Sequence, residues 1–223
     1  VVGIGGGAAK DNITGGKGAD VMAGGLGQDT INAGQGRDVI KVASNSDANA
    51  TSNDSFTGAA DVVNGFTLLS AISTGADFSS VTNFQGASAG GANASMLSID
   101  LTKDDSNPST TGTGLAVAIK NDGSGTGQAA GVTYTVTNGI LTLSGAGAST
   151  VDTLGEWLTE AAAVAATNGE TLAFVFGGDT YVFAQNANQD VLVQLVGVQA
   201  SSLVLASNST TASAGALLIG DGL

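Results

Sequence analysis

Three carboxylates recur at nine-residue intervals near the start of the chain, at Asp20, Asp29 and Asp38. They sit in the consecutive nonamers GGKGADVMA, GGLGQDTIN and AGQGRDVIK of residues 15–41. The preceding nonamer, GGAAKDNIT, adds Asp11 in the same place, with Ala9 where the third glycine belongs. If two nonamers make one turn of a coil, residues 18 apart become stacked neighbours. Asp11 then lies on Asp29, and Asp20 on Asp38, in two columns on opposite edges. Strands in such a stack are about 4.8 Å apart. Two carboxylates at about 5 Å repel by roughly 1 kcal/mol in water and by about 3 kcal/mol at an effective dielectric of 20. The array therefore opposes its own folding unless a cation lies between the members of each pair. Ca²⁺ takes six to eight oxygen ligands, and an all-oxygen site disfavours softer metals. Asp11, Asp20, Asp29 and Asp38 are the candidate ligands. Carbonyl oxygens of the loops at Gly16, Gly18, Gly25, Gly27, Gly34 and Gly36 are candidates for the rest of the shell.

The elements that must position these groups are equally legible. The tandem glycines supply turns with positive φ and close backbone approach. Each x-U-x triplet after the Asp is a minimal strand with one inward apolar side chain, in turn Ile13, Met22, Ile31 and Ile40. Such repeats stack into a parallel β-roll. Asp47 follows Asp38 by nine, but Ala43, Ser44 and Asn49 replace the glycines and the apolar residue. The roll is thus expected to end near Lys41, with Asp47 closing its last loop as a further ligand. At the other end Ile4 still fits the apolar slot and Val2 stands in the Asp slot. The chain is expected to be a fragment that opens in the middle of an array.

Residues 6–41 resemble the calcium-binding nonapeptide repeats of the RTX family. That resemblance implies several bound Ca²⁺ ions, export by type I secretion and an extracellular location. It also implies a folding switch, disordered where Ca²⁺ is scarce and folded where it is millimolar. A ligand bound only by the folded state stabilises it by mass action, which agrees.

Composition narrows the remaining classes. A net charge of −13 argues against nucleic acid and against anionic membrane surfaces. All six basic residues lie in the first 120 positions, while residues 121–223 carry eight acids. There is no Cys, so calcium would take over the stapling role of disulfides. No apolar run is long enough to span a membrane.

Beyond the repeats the pattern is mainly β. ADVVNGF (60–66) and FSSVTNF (78–84) weakly resemble the D-x-I-x-x-F rungs that follow such rolls, a plain strand being the simpler reading. MLSIDLT (96–102) and LAVAIK (115–120) read as strands. VTYTVTNGILTLSG (132–145) predicts a hairpin turning at Asn138-Gly139. A helix is predicted over 152–167, capped by Asp152 or Thr153, with Thr153 and Glu156 at capping-box spacing and Asn168-Gly169 as the stop. Its stripe Leu154, Trp157, Leu158 and Ala161 reads as core. LAFVF-GGDT-YVFA (172–184) predicts a second hairpin, and DVLVQLVGV (190–198), SLVLA and GALLIG predict strands. The succession from this hairpin to the end is similar to RTX C-terminal regions, which implies a type I secretion signal in the last 50 or so residues.

Catalytic chemistry has little support. The chain has no His, which removes zinc-protease helices and Ser-His-Asp or Cys-His sites. Gly86-Ala87-Ser88-Ala89-Gly90 matches G-x-S-x-G only formally, without a strand–helix context or a base. Glu156 and Glu160 read as an exposed pair one helical turn apart. Asp179 and Asp190 are kept as minor calcium candidates.

The expected architecture is all-β in the main. A calcium roll over 1–47 leads into a β-rich sandwich or solenoid-like domain over 48–223 with one helix. The expected function is that of a non-enzymatic, calcium-binding protein of the bacterial cell surface. The Gly/Ala/Ser/Thr-rich, Cys-free composition is similar to surface-layer proteins, implying Ca²⁺-mediated self-association and lattice assembly. The alternative is a folding and secretion module of an adhesin or exoenzyme whose activity lies elsewhere in the parent chain. The expected partners are further copies, that parent chain and the type I secretion apparatus, with no nucleic acid and no membrane insertion.

Overall fold

The computed structural model describes residues 3–7, 9–25, 27–36, 38–43, 60–66, 68, 95–100, 117–186, 190–205 and 215–220. Five short strands come from the repeats: Gly3–Gly5 (β1), Asn12–Thr14 (β2), Val21–Ala23 (β3), Thr30–Asn32 (β4) and Val39–Ala43 (β5). Odd and even strands form separate parallel ladders. Gly3 pairs with Val21 and Val21 with Val39 on one side, while Asn12 pairs with Thr30 on the other. Every offset is 18 residues, so two nonamers make one turn, as the spacing requires. The central residue of each triplet points inward, and Ile13, Met22, Ile31 and Ile40 are buried between the ladders.

The ladders do not stop at Lys41. Asp61–Asn64 (β6) stacks parallel on β4, with Thr30 opposite Val62. Met96–Asp100 (β7) stacks parallel on β5, with Val39 opposite Met96. The expected end of the roll is therefore corrected by one further rung on each side. The reason is that strand pairing needs register and an inward apolar residue, here Val63 and Leu97, both fully buried. It does not need the nonapeptide glycines. The other weakly matching segment, FSSVTNF, and Asp47 lie outside the described residues.

The C-terminal strands extend both sheets. Ala118–Ile119 (β8), Gly123–Thr126 (β9), Thr133–Thr137 (β10) and Ile140–Ser144 (β11) precede a helix, Leu154–Val164 (α1). After it come Glu170–Phe176 (β12), Asp179–Ala184 (β13), Val191–Leu195 (β14), Ser202–Leu205 (β15) and Gly215–Gly220 (β16). One sheet runs β1-β3-β5-β7-β16-β15; the other runs β2-β4-β6-β14-β13-β12-β11-β10-β9, with β8 beside β12. β14 joins β6 in parallel and β16 joins β7 antiparallel. The fold is mainly β, with one α-helix among the described residues, as the sequence predicts.

Both predicted hairpins form. Asn138 and Gly139 have φ of 51° and 77°, the left-handed pair that a two-residue I′ turn demands. β12 and β13 pair around Gly177-Gly178. The helix is shorter than the predicted 152–167 and starts with a full capping box between Thr153 and Glu156.

Two cores explain the unbroken apolar runs of β12–β14. Ala173, Val182, Val193 and Leu195 face the first core, which is continuous with Ile31, Ile40, Val63 and Leu97 of the roll. Leu172, Phe174, Phe183 and Leu192 face the second core, under α1, with Leu158 and Ala161. Trp157 stacks on Phe174 at 5.3 Å and Phe174 on Tyr181 at 5.5 Å. The helical stripe is core, as expected. A strand buried on both faces has no polar face to alternate with.

Candidate metal centre

The carboxylate columns are built by the turn that enters each triplet. Strand pairing places each Asp directly against the Asp 18 residues earlier, and the backbone locks the pair. Asp11 N–H donates to Asp29 Oδ1 at 2.8 Å, and Asp20 N–H to Asp38 Oδ1 at 2.9 Å. Both predicted pairs are thus brought together, on opposite edges. The stack also reaches a carboxylate that the spacing argument misses: Asp29 N–H donates to Asp61 Oδ1 at 2.9 Å. The interval is now 32 residues, so no nine-residue search finds it. The Asp of ADVVNGF was the only signal.

Two kinds of loop alternate with the columns. In the first turn, Gly7 N–H donates to Asp11 Oδ2 at 2.6 Å and Gly16 N–H to Asp20 Oδ2 at 2.8 Å. In the second turn, Gly25 and Gly34 adopt φ of 101° and 91°. Asp29 Oδ2 and Asp38 Oδ2 are buried without a hydrogen-bond partner among the described residues. Gly25 and Gly34 are required twice over, because a Cβ on either would strike the carbonyl oxygen of Gly7 or Gly16 in the loop above. A Cβ on Gly36 would likewise meet the carbonyl oxygen of Gly18. Carbonyl oxygens therefore face the space between successive loops, those of Gly16 and Gly18 among the predicted donors. Gly16 O also accepts Gln35 N–H at 2.9 Å.

The electrostatics are unfavourable as they stand. Asp29, Asp38 and Asp20 are 0%, 1% and 3% exposed. Burial raises the Asp29 carboxyl; its bond from the Asp11 N–H lowers it, and the charge of Asp11 raises it further. Asp38 is raised in the same way, with Asp20 as its neighbour. Asp61 is pushed up to about 7, chiefly by burial, with the Asp29 N–H opposing and the Asp29 charge adding. The only salt bridge among the described residues joins Lys120 and Glu170 at 2.9 Å and involves no column residue.

This donor set fits a hard dication. An unpaired buried carboxylate oxygen is costly, and a column of them calls for positive charge. No three carboxylates converge among the described residues. An ion shared by two column members must draw most of its six to eight oxygens from backbone carbonyls, and these loops present carbonyls.

The other acids are accounted for structurally. Asp179 accepts Gln194 Nε2–H at 2.6 Å and Gly197 N–H at 2.8 Å, one on each oxygen. It braces the turn after β14, which leaves its calcium candidacy without support. Asp190 accepts Asn186 N–H at 2.8 Å. Glu160 is not the exposed partner of Glu156: it is buried, and takes Gln128 N–H and Ala129 N–H at 2.7 Å each. Helix phase decides this, because Glu160 lies one turn from the buried Val164 and faces the loop before β10. The G-x-S-x-G segment lies outside the described residues, and no helix among them is long and apolar enough to cross a membrane.

Comparison with known proteins bears on the same segment. Residues 5–40 match the RTX calcium-binding nonapeptide repeat, in four copies. No curated protein and no solved structure matches the chain.

Proposed function

We propose that this chain, which carries an RTX calcium-binding repeat module over residues 5–40, is a calcium-dependent structural part of an extracellular bacterial protein exported by type I secretion. The observation that carries this reading is the pair of stacked carboxylate columns, with Asp29 Oδ2 and Asp38 Oδ2 buried and unpartnered. Asp11, Asp20, Asp29 and Asp38 hold Ca²⁺ together with carbonyl oxygens of the glycine loops, including those at Gly16, Gly18, Gly25, Gly27, Gly34 and Gly36. Bound calcium supplies the positive charge that lets the buried carboxylates stay ionised. The chain's own part is to fix each Asp by a backbone N–H and to bring the carbonyls close by glycine stacking. Affinity in the range of extracellular modules, about 10⁻⁴–10⁻³ M, leaves the roll unfolded in the cytoplasm and folded outside.

The role in this reading is mechanical, not catalytic. A calcium-stiffened roll continuous with a packed β-domain suits a surface-layer subunit, and the acidic surface suits Ca²⁺ bridging between copies. The test is a Ca²⁺ titration followed by circular dichroism, with sedimentation and negative-stain microscopy on the same samples. Sheets or large oligomers that appear with the β-signal support the lattice role. A calcium-induced monomer moves the role to a folding and secretion tail, and no calcium response rejects both.

A further inference from the structure

We infer that the two edges of the roll hold unequal numbers of cations, and that Asp61, outside the matched repeats, is the ligand that adds one. This rests on the calcium reading of the columns above.

The column on one edge runs Asp11, Asp29, Asp61. Its second step repeats the first in detail. Thr30 N–H donates to Asp11 O, and Val62 N–H to Asp29 O, each at 2.8 Å. Asp11 N–H donates to Asp29 Oδ1 at 2.8 Å, and Asp29 N–H to Asp61 Oδ1 at 2.9 Å. The backbone therefore presents Asp61 to Asp29 as it presents Asp29 to Asp11. Asp61 is 8% exposed, beside Asp29 at 0%. Asp29 also carries a buried oxygen with no partner among the described residues. The upper neighbour, Asp11, is partly exposed and already receives Gly7 N–H. The densest uncompensated negative charge on this edge is thus the step from Asp29 to Asp61, below the last matched repeat.

The other edge runs Asp20, Asp38, and then Ser95, the residue before Met96, which lies opposite Val39. Ser95 is buried, but its hydroxyl brings no charge. The same rung thus ends in a carboxylate on one edge and a neutral group on the other. That difference sets the cation count.

Native mass spectrometry of the full chain in Ca²⁺, with calorimetric titration, counts the ions. Asp61→Asn should lose one Ca²⁺ relative to the natural sequence and keep the rest, while Ser95→Asp should gain one. An unchanged count in a folded Asp61→Asn chain overturns the inference while leaving the calcium reading intact. If Asp61→Asn fails to fold, Ser95→Asp decides: one added ion supports the inference, and none overturns it. A natural chain that binds no Ca²⁺ overturns both readings together.

Discussion

At the residue scale the carboxylate columns behave as a charge switch, and their titration has a definite sign. Asp29, Asp38 and Asp61 all have carboxyls raised in the folded state, Asp61 to about 7 from an ordinary value of 3.8. A group raised on folding contributes stability that is complete below its unfolded value and lost as pH rises through the folded value. In chelator the fold should therefore be most stable near pH 4 and weaken steadily towards pH 7–8. With millimolar Ca²⁺ the carboxylates must ionise to bind, so the order reverses and stability falls on acidification. Thermal melts at pH 5 and pH 8, with and without Ca²⁺, should cross. Asp29→Asn separates the two terms, since the amide keeps an oxygen for the Asp11 N–H but removes a buried charge. It should raise the melting temperature in chelator. In calcium at about 100 times the dissociation constant, it should forfeit about 2.7 kcal/mol of ligand stabilisation for each ion that it helps to hold.

At the element scale, backbone clearance and buried caps decide which pieces form. Gly34 has φ of 91° and faces the Gly16 carbonyl. Gly34→Ala should cost at least about 2 kcal/mol, from left-handed strain of about 1–2 kcal/mol and from forcing two loops apart. The expected readout is weaker Ca²⁺ affinity with the C-terminal hairpins unchanged by nuclear magnetic resonance. Glu160 joins α1 to the loop of residues 127–129 through two backbone N–H groups. Hydrogen bonds to a charged group contribute about 1.5–3 kcal/mol each. Glu160→Ala should lower denaturant stability by about 2–3 kcal/mol without altering calcium affinity in titration calorimetry.

At the scale of the whole molecule, the roll and the C-terminal part share sheets but not all of their support. β6 and β14 are hydrogen-bonded neighbours, as are β7 and β16, so calcium bound in the roll stiffens ladders that continue to the last strand. The second core, under α1, contains no column residue. Calcium removal should therefore raise amide exchange first in β1–β5, with β10–β13 and α1 staying protected. Hydrogen exchange in Ca²⁺ and in chelator, read by mass spectrometry, checks this; uniform loss of protection would instead mean a single cooperative unit.

The sequence by itself determined whatever depends on a fixed interval. Nine-residue spacing placed Asp11 over Asp29 and Asp20 over Asp38. Asn138-Gly139 specified its turn, and Thr153 with Glu156 capped the helix, because each rests on local geometry that a few neighbouring residues set. Only the tertiary structure decided where distant segments land. The last rungs come from Asp61–Asn64 and Met96–Asp100 across long intervals, since a strand is accepted on register and burial, which leave no periodic trace. For the same reason Asp61 joined the column unannounced. Glu160 turned inward and Asp179 became a brace, because a carboxylate's role depends on which donors the fold brings to it.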